Sequence, residues 1–135
     1  IAGSGELVNT AKHLTNGQGV PVVYDSVGKV TFIESLDCLR RRGLLVSFGN
    51  ASGPVDPFPL SMLTQRGGLY VTRPSIVNYT QERAELEAAA EELFDMVAAG
   101  AIHISINQRF ALADAAAAHT ALASRQTTGS SVLIP

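Results

Sequence analysis

The sequence predicts an α/β fold built on a mostly parallel sheet, and three observations carry that expectation. Short, continuous apolar runs at 20–24 (VPVVY) and 44–48 (LLVSF) have the character of strands covered on both faces. Segments with helical spacing alternate with them. Turn residues mark nearly every change from one pattern to the other. A helix–strand–helix–strand order over the first roughly 70 residues favours right-handed crossovers and parallel pairing.

Each element has a local reason. Residues 6–15 (ELVNTAKHLT) space Leu7, Ala11 and Leu14 on one helical face, and Asn16-Gly17 supplies a stop. The strand at 20–24 gives way to Asp25-Ser26-Val27-Gly28, a turn composition. A helix is predicted over 30–41, with Phe32, Leu36 and Leu39 as its stripe, an Asp37–Arg41 pair at i,i+4, and Gly43 as its end. Arg40-Arg41-Arg42 then reads as a solvated helix terminus, where cations suit the dipole. After the strand at 44–48, a Gly- and Pro-rich loop runs from Gly49 to Pro59, and a short turn at 60–65 follows. The third strand, 68–72 (GLYVT), stops at Arg73-Pro74 because proline cannot continue a ladder.

The longest helix is predicted at 80–99, burying Leu86, Ala90, Leu93 and Val97 and ending at Gly100. Residues 101–106 (AIHISI) alternate like a half-exposed strand, 113–123 form an alanine-rich helix, and SSVLIP closes as a strand. The shift from continuous to alternating apolar runs near 100 marks an expected change of sheet or domain.

Composition narrows the function classes. The 135 residues suit one domain, and the net charge of −2 gives no electrostatic case for nucleic acid. No apolar run approaches the ~20 residues of a bilayer span. One cysteine, Cys38, allows neither an internal disulfide nor a site of several thiolates, and beside the apolar stripe it reads as a structural thiol. A soluble, reduced, cytoplasmic protein is expected, with no membrane or nucleic-acid partner. A first residue of Ile1, not methionine, suggests a piece of something longer.

In an open parallel sheet, ligands bind beyond the carboxyl ends of the strands. Two glycine-containing loops fall there: 25–28 (DSVG) and 48–53 (FGNASG). Their small residues would let a flat ligand approach the backbone, and Ser26, Asn50 and Ser52 offer hydrogen bonds; the same composition also makes ordinary turns. Gly3-Ser4-Gly5 does not make a dinucleotide fingerprint, since no strand precedes it and Val8 holds the third glycine position. Ser52 lacks the strand–turn–helix setting of a hydrolase nucleophile. His13, His103 and His119 have no carboxylate at a telling spacing, so each reads as a packing or surface histidine. Strand 68–72, if last in the sheet, is an apolar edge that another segment or a second copy must cover.

The stretch from GVPVVYDSVG through LDCLRRRGLLVSFGNASG to GGLYVTRPS closely resembles the quinone oxidoreductases of the zinc-independent medium-chain dehydrogenase/reductase superfamily. The likeness continues through ELEAAAEELFDMVAAGAI, FALADAAAAH and TTGSSVLIP. It implies the later portion of a Rossmann cofactor-binding domain over 1–100, then a segment, 101–135, that returns to a catalytic domain absent from this sequence. It implies NADPH as cofactor and a small quinone or enone as acceptor. Ser26, Val27 and Gly28 would lie near the nicotinamide half, and Phe48, Gly49, Asn50 and Ser52 would line its side of the cleft. Thr72, Arg73 and Pro74 would pass their backbone near the carboxamide, with Arg125 and Thr128-Gly129 approaching from the returning segment. Strand 68–72 would form a homodimer, and no residue here is an obvious acid, base or metal ligand. The glycine-rich phosphate turn is not in this sequence, so the piece alone would be inactive. Two other readings stay open: a non-catalytic dimerisation or partner-binding module, and an enoyl reductase domain of the same superfamily.

Overall fold

The computed structural model describes residues 5–135. Gly3 and Ser4 of the GSG sequence lie outside them, while Gly5 (φ 71°) sits at the N-cap of the first helix and donates its N–H to Glu34 Oε1 at 2.9 Å. The chain divides into two compact units, one up to Tyr79 and one from Thr80 onward. The division precedes the longest helix, which therefore groups with the second unit.

In the first unit the order is α1 (Glu6–Leu14), β1 (Val20–Asp25), α2 (Phe32–Asp37), β2 (Leu39–Ser47), α3 (Ser61–Gln65), β3 (Tyr70–Thr72) and α4 (Ile76–Tyr79). The sheet order is β1-β2-β3, with every pairing parallel, as the alternation predicts. Register aligns Val23, Leu45 and Val71 across the three strands, which puts them on one face. That face packs on a core of Phe32, Leu36, Leu39, Leu45 and Leu69, with Phe58 stacked at a tilt on Phe32, ring centroids 4.8 Å apart. The other face is not covered as expected: Tyr24 is 73% exposed and Tyr70 61%.

The predicted helix over 30–41 is the main departure. It ends at Asp37, and β2 already begins at Leu39. Sequence propensity favours helix through DCLRRR, but tertiary pairing overrides it. Val20 N–H bonds to the Cys38 carbonyl at 2.9 Å and Arg42 N–H to the Gly67 carbonyl at 3.0 Å. Arg42 itself has φ 56°, outside helical space. Gly19 (φ 87°) lets this approach occur, since a Cβ there would stand 2.6 Å from the Cys38 carbonyl oxygen. The arginine triplet thus lies in an irregular stretch of strand, where the β1–β2 register shifts between Val20 and Val22, and not at a helix end. Asp37 pairs with Arg66 (2.7 Å) instead of Arg41. In α1, Val8 and Ala11 are half-buried while Leu7 and Leu14 are exposed, so the helix is rotated from its expected face.

The second unit contains α5 (Arg83–Ala98), β4 (Ile106–Ala111), a 3-10 turn (Leu112–Asp114), α6 (Ala115–Ala123) and β5 (Ser130–Ile134). Gly100 (φ 73°) follows the C-cap residue Ala99, as its place in the sequence predicts. The alternating run 101–106 is not a strand up to Ser105; β4 begins only at the run's last residue, Ile106, and pairs in parallel with β5. Leu86 and Leu93 of α5 are exposed, and Ala90 and Val97 only half-buried, so this helix has no buried face within the unit. No helix among the described residues is long and apolar enough to cross a membrane.

Candidate functional site

Parallel strands send their carboxyl ends to one edge of a sheet, and there the structure joins the segments singled out above. Phe48 N–H donates to the Asp25 carbonyl (2.9 Å), Ala51 N–H to that of Ser26 (3.2 Å) and Ser52 N–H to that of Val27 (2.8 Å). The Ser52 hydroxyl also donates to the Val27 carbonyl (2.7 Å) and accepts the Val30 N–H (3.1 Å). Its hydrogen-bonding capacity is thus used to bind the two loops together. Ser26, Phe48 and Asn50 stand exposed along the same edge.

The glycines serve this loop-to-loop contact. A Cβ on Gly28 (φ 89°) would meet the Gly53 carbonyl oxygen at 2.7 Å, and one on Gly49 would collide with the Ser26 carbonyl. Beyond β3, the Arg73 guanidinium donates through Nη1 to the carbonyls of Ser47 (2.9 Å) and Gly49 (3.0 Å). The third segment therefore reaches the second through a side chain. Thr72 is exposed beside it and Pro74 half-buried.

Beneath the first loop lies a residue whose role the sequence did not disclose. Asp25 is 4% exposed and accepts N–H groups from Val27 (2.8 Å) and Gly28 (3.0 Å). It also accepts from the hydroxyls of Thr31 (2.9 Å) and Ser35 (2.8 Å). Burial pushes its pKa up, but these hydrogen bonds to Gly28, Ser35, Thr31 and Val27 outweigh it and hold the carboxyl below the usual value of 3.8. An acid ending an apolar strand just before a Ser-Val-Gly turn was the available signal. Thr31 and Ser35, three and seven residues beyond Gly28, complete the pattern.

Two shallow hollows flank this edge. One of about 210 Å³ is lined by Leu7, Tyr24, Ser26 and Val27 among others, the second of about 240 Å³ by Ser47, Asn50, Phe58 and Arg73 among others. Each is below the ~300 Å³ at which complete small-molecule pockets begin, the proportion expected of one wall of a cleft. A larger hollow of about 620 Å³, lined by Gln18, Arg40, Arg41, Arg42 and Tyr70, lies at the opposite end of the strands. Strand direction favours the carboxyl edge as the site. Arg125 and Thr128-Gly129 belong to the second unit, where Thr128 Oγ1 accepts from Asn107 Nδ2 at 3.0 Å.

The family model for zinc-binding dehydrogenases matches residues 4–133. A quinone oxidoreductase of Pseudomonas aeruginosa is 61% identical over 122 residues, which is 90% of this chain and 38% of that protein. The 2-haloacrylate reductase of a Burkholderia species is 45% identical over 131 residues, 96% of this chain and 39% of that protein. The crystal structure of Escherichia coli quinone oxidoreductase complexed with NADPH superimposes with a TM-score of 0.87 at 53% identity, covering 96% of this chain and 40% of that one. The chain thus spans about 40% of the length of these relatives, and its α/β architecture is that of their Rossmann-type domain. The family description raises zinc, but no three His, Cys, Asp or Glu side chains among the described residues converge as a metal site requires. Cys38 is buried, and burial followed by the charges of Glu34 and Asp37 pushes its thiol pKa up, away from the thiolate that binds metal. These residues do not fit a zinc site.

Proposed function

The chain belongs to the zinc-binding dehydrogenase family, and we propose that it is the C-terminal part of an NADPH-dependent quinone oxidoreductase, contributing the nicotinamide side of the cofactor cleft. The observation that carries this is the meeting of three strand-end segments on one sheet edge. It occurs in a chain 53% identical to a protein solved with NADPH. In this reading Ser26, Val27 and Gly28 face the nicotinamide half. Phe48, Gly49, Asn50 and Ser52 line its side, and the backbone at Thr72, Arg73 and Pro74 passes near the carboxamide.

The bound cofactor supplies the reducing equivalents. The chain's own residues fix the ring's place and exclude water from it. The cross-bonding suits that work, because a wall held by main-chain hydrogen bonds does not reorganise when ligand arrives. The Arg73 guanidinium is committed to two carbonyls, so its part is to brace the loop while its backbone faces the ligand. Residues 1–100 form the later cofactor domain and 101–135 the segment returning to the catalytic domain. The protein is a cytoplasmic homodimer joined along 68–72. The position of β3 at one end of its sheet supports the dimer, since a terminal strand leaves one row of backbone groups to pair.

The acceptor is a quinone or a related electron-poor alkene; likeness to a 2-haloacrylate reductase supports the second class. Steady-state NADPH oxidation by the full-length gene product, with 1,4-benzoquinone or 2-chloroacrylate as acceptor, tests the proposal. Turnover with the quinone at the higher kcat/KM is expected. Preference for the acrylate would move the assignment to the alkene class, and turnover with neither would overturn it.

A further inference from the structure

We propose that Asp25 is a positioning residue that holds the turn 26–28 in the shape the cofactor meets. The role rests on the cofactor reading above and extends it to the carboxylate beneath the turn.

A buried carboxylate is costly unless its lone pairs are matched. Asp25 is matched without any cation: Oδ1 takes the Val27 and Gly28 amides, Oδ2 takes the Ser35 hydroxyl, and the Thr31 hydroxyl stands 2.9–3.0 Å from both oxygens. These donors divide between two places. The amides belong to the turn; Thr31 and Ser35 belong to the N-cap and the body of α2, which is anchored in the core by Phe32 and Leu36. The carboxylate thus ties the exposed turn to a buried helix. Its own carbonyl accepts Phe48 N–H at 2.9 Å, so the same residue also touches the start of the second loop. Packing alone does not call for such a group, since an apolar side chain fills that space with no charge to satisfy. The geometry serves orientation, fixing where the Val27 and Gly28 peptides point.

The test uses the full-length gene product, NADPH as the titrant and 1,4-benzoquinone as the acceptor. Asp25→Ala should raise the Kd for NADPH by about tenfold or more and shift KM for the quinone less than about twofold. Amide exchange at Val27 and Gly28 should accelerate. Asp25→Asn keeps an acceptor for both amides and should restore Kd to within about threefold of wild type, a rescue that a purely bulk-stability role does not produce. Should Asp25→Ala not fold, Thr31→Val/Ser35→Ala, which cuts the tie to α2 and spares the turn amides, decides instead, with NADPH binding weakened by about threefold. A folded Asp25→Ala protein, or in its place the double variant, that binds NADPH as wild type does overturns the positioning role alone. A wild-type protein that binds no NADPH overturns the cofactor reading and this role with it.

Discussion

Both units of this chain form regular secondary structure but bury it very differently. Up to Tyr79, five apolar residues form a shared core, with Leu45 at 0% and Leu36 at 1% exposure. From Thr80 onward, Ala118 is the one buried residue among those described, while Leu93, Phe94, Leu122 and Ile134 remain in contact with solvent. Apolar periodicity therefore records a demand for cover; the first unit meets that demand from its own elements on one face of its sheet, and the second does not meet it. The carboxyl-edge loops belong to the unit that does.

The largest test of this contrast is at Leu45. Truncation to alanine empties fully enclosed space and should lower the local stability of β2 by about 2–5 kcal/mol. Native-state hydrogen exchange of the β1–β2 amides measures it, and a loss below about 1 kcal/mol would mean that the first unit is less tightly closed than its burial indicates.

Next in size is the acid sensitivity of the carboxyl-edge loops. The Asp25 pKa is lowered on folding, so its contribution is fully present above the unfolded value of 3.8 and is lost as pH falls through the lower folded value. Exchange protection at Val27 and Gly28 should fall in that acid window, while protection in β4 and β5 should not follow it. Asp25→Asn should abolish the difference. Parallel loss across both units in wild type would show that the acid transition is global and not tied to this carboxylate.

How much of this was legible in the sequence follows the same division. The parallel sheet could be read because VPVVY and LLVSF are short apolar runs bounded by turns, and the strand ends then placed 26–28, 48–52 and 72–74 on one edge. The helix expected over 30–41 stops at Asp37 because propensity is local, whereas the Gly19 approach and the Arg42–Gly67 bond join residues far apart in sequence. Asp25 was visible only as a turn residue, since the four donors around it converge only on folding. The buried face assigned to Leu86 and Leu93 failed for another reason. A periodic stripe specifies an apolar surface without specifying what covers it, and within the second unit nothing does.

A smaller effect is expected at Arg73. Arg73→Ala removes two charge-assisted bonds from a partly exposed site and should cost the 47–49 segment about 1 kcal/mol, seen as faster exchange there. Arg73→Lys should recover only part of that, because a freely rotating ammonium does not hold the fixed directions of the two Nη1 hydrogens. Complete recovery would show that charge near the two carbonyls, and not guanidinium geometry, braces the loop.

The smallest effect is expected at Leu93, and it sharpens the contrast most directly. The side chain is 48% exposed, and alanine is at least as good a helix former as leucine. In the 135-residue polypeptide, Leu93→Ala should therefore change the opening free energy of α5 by no more than about 0.5 kcal/mol. The same substitution in the full-length gene product measures something else. A loss there of about 2 kcal/mol or more would show that a segment beyond this chain covers the α5 face, since only enclosed space produces a cavity cost of that size. Equal, small losses in both would show that the stripe on α5 stays at the surface. A large loss in the short polypeptide would break the contrast, because it requires the second unit to hold a core that its burial pattern does not contain.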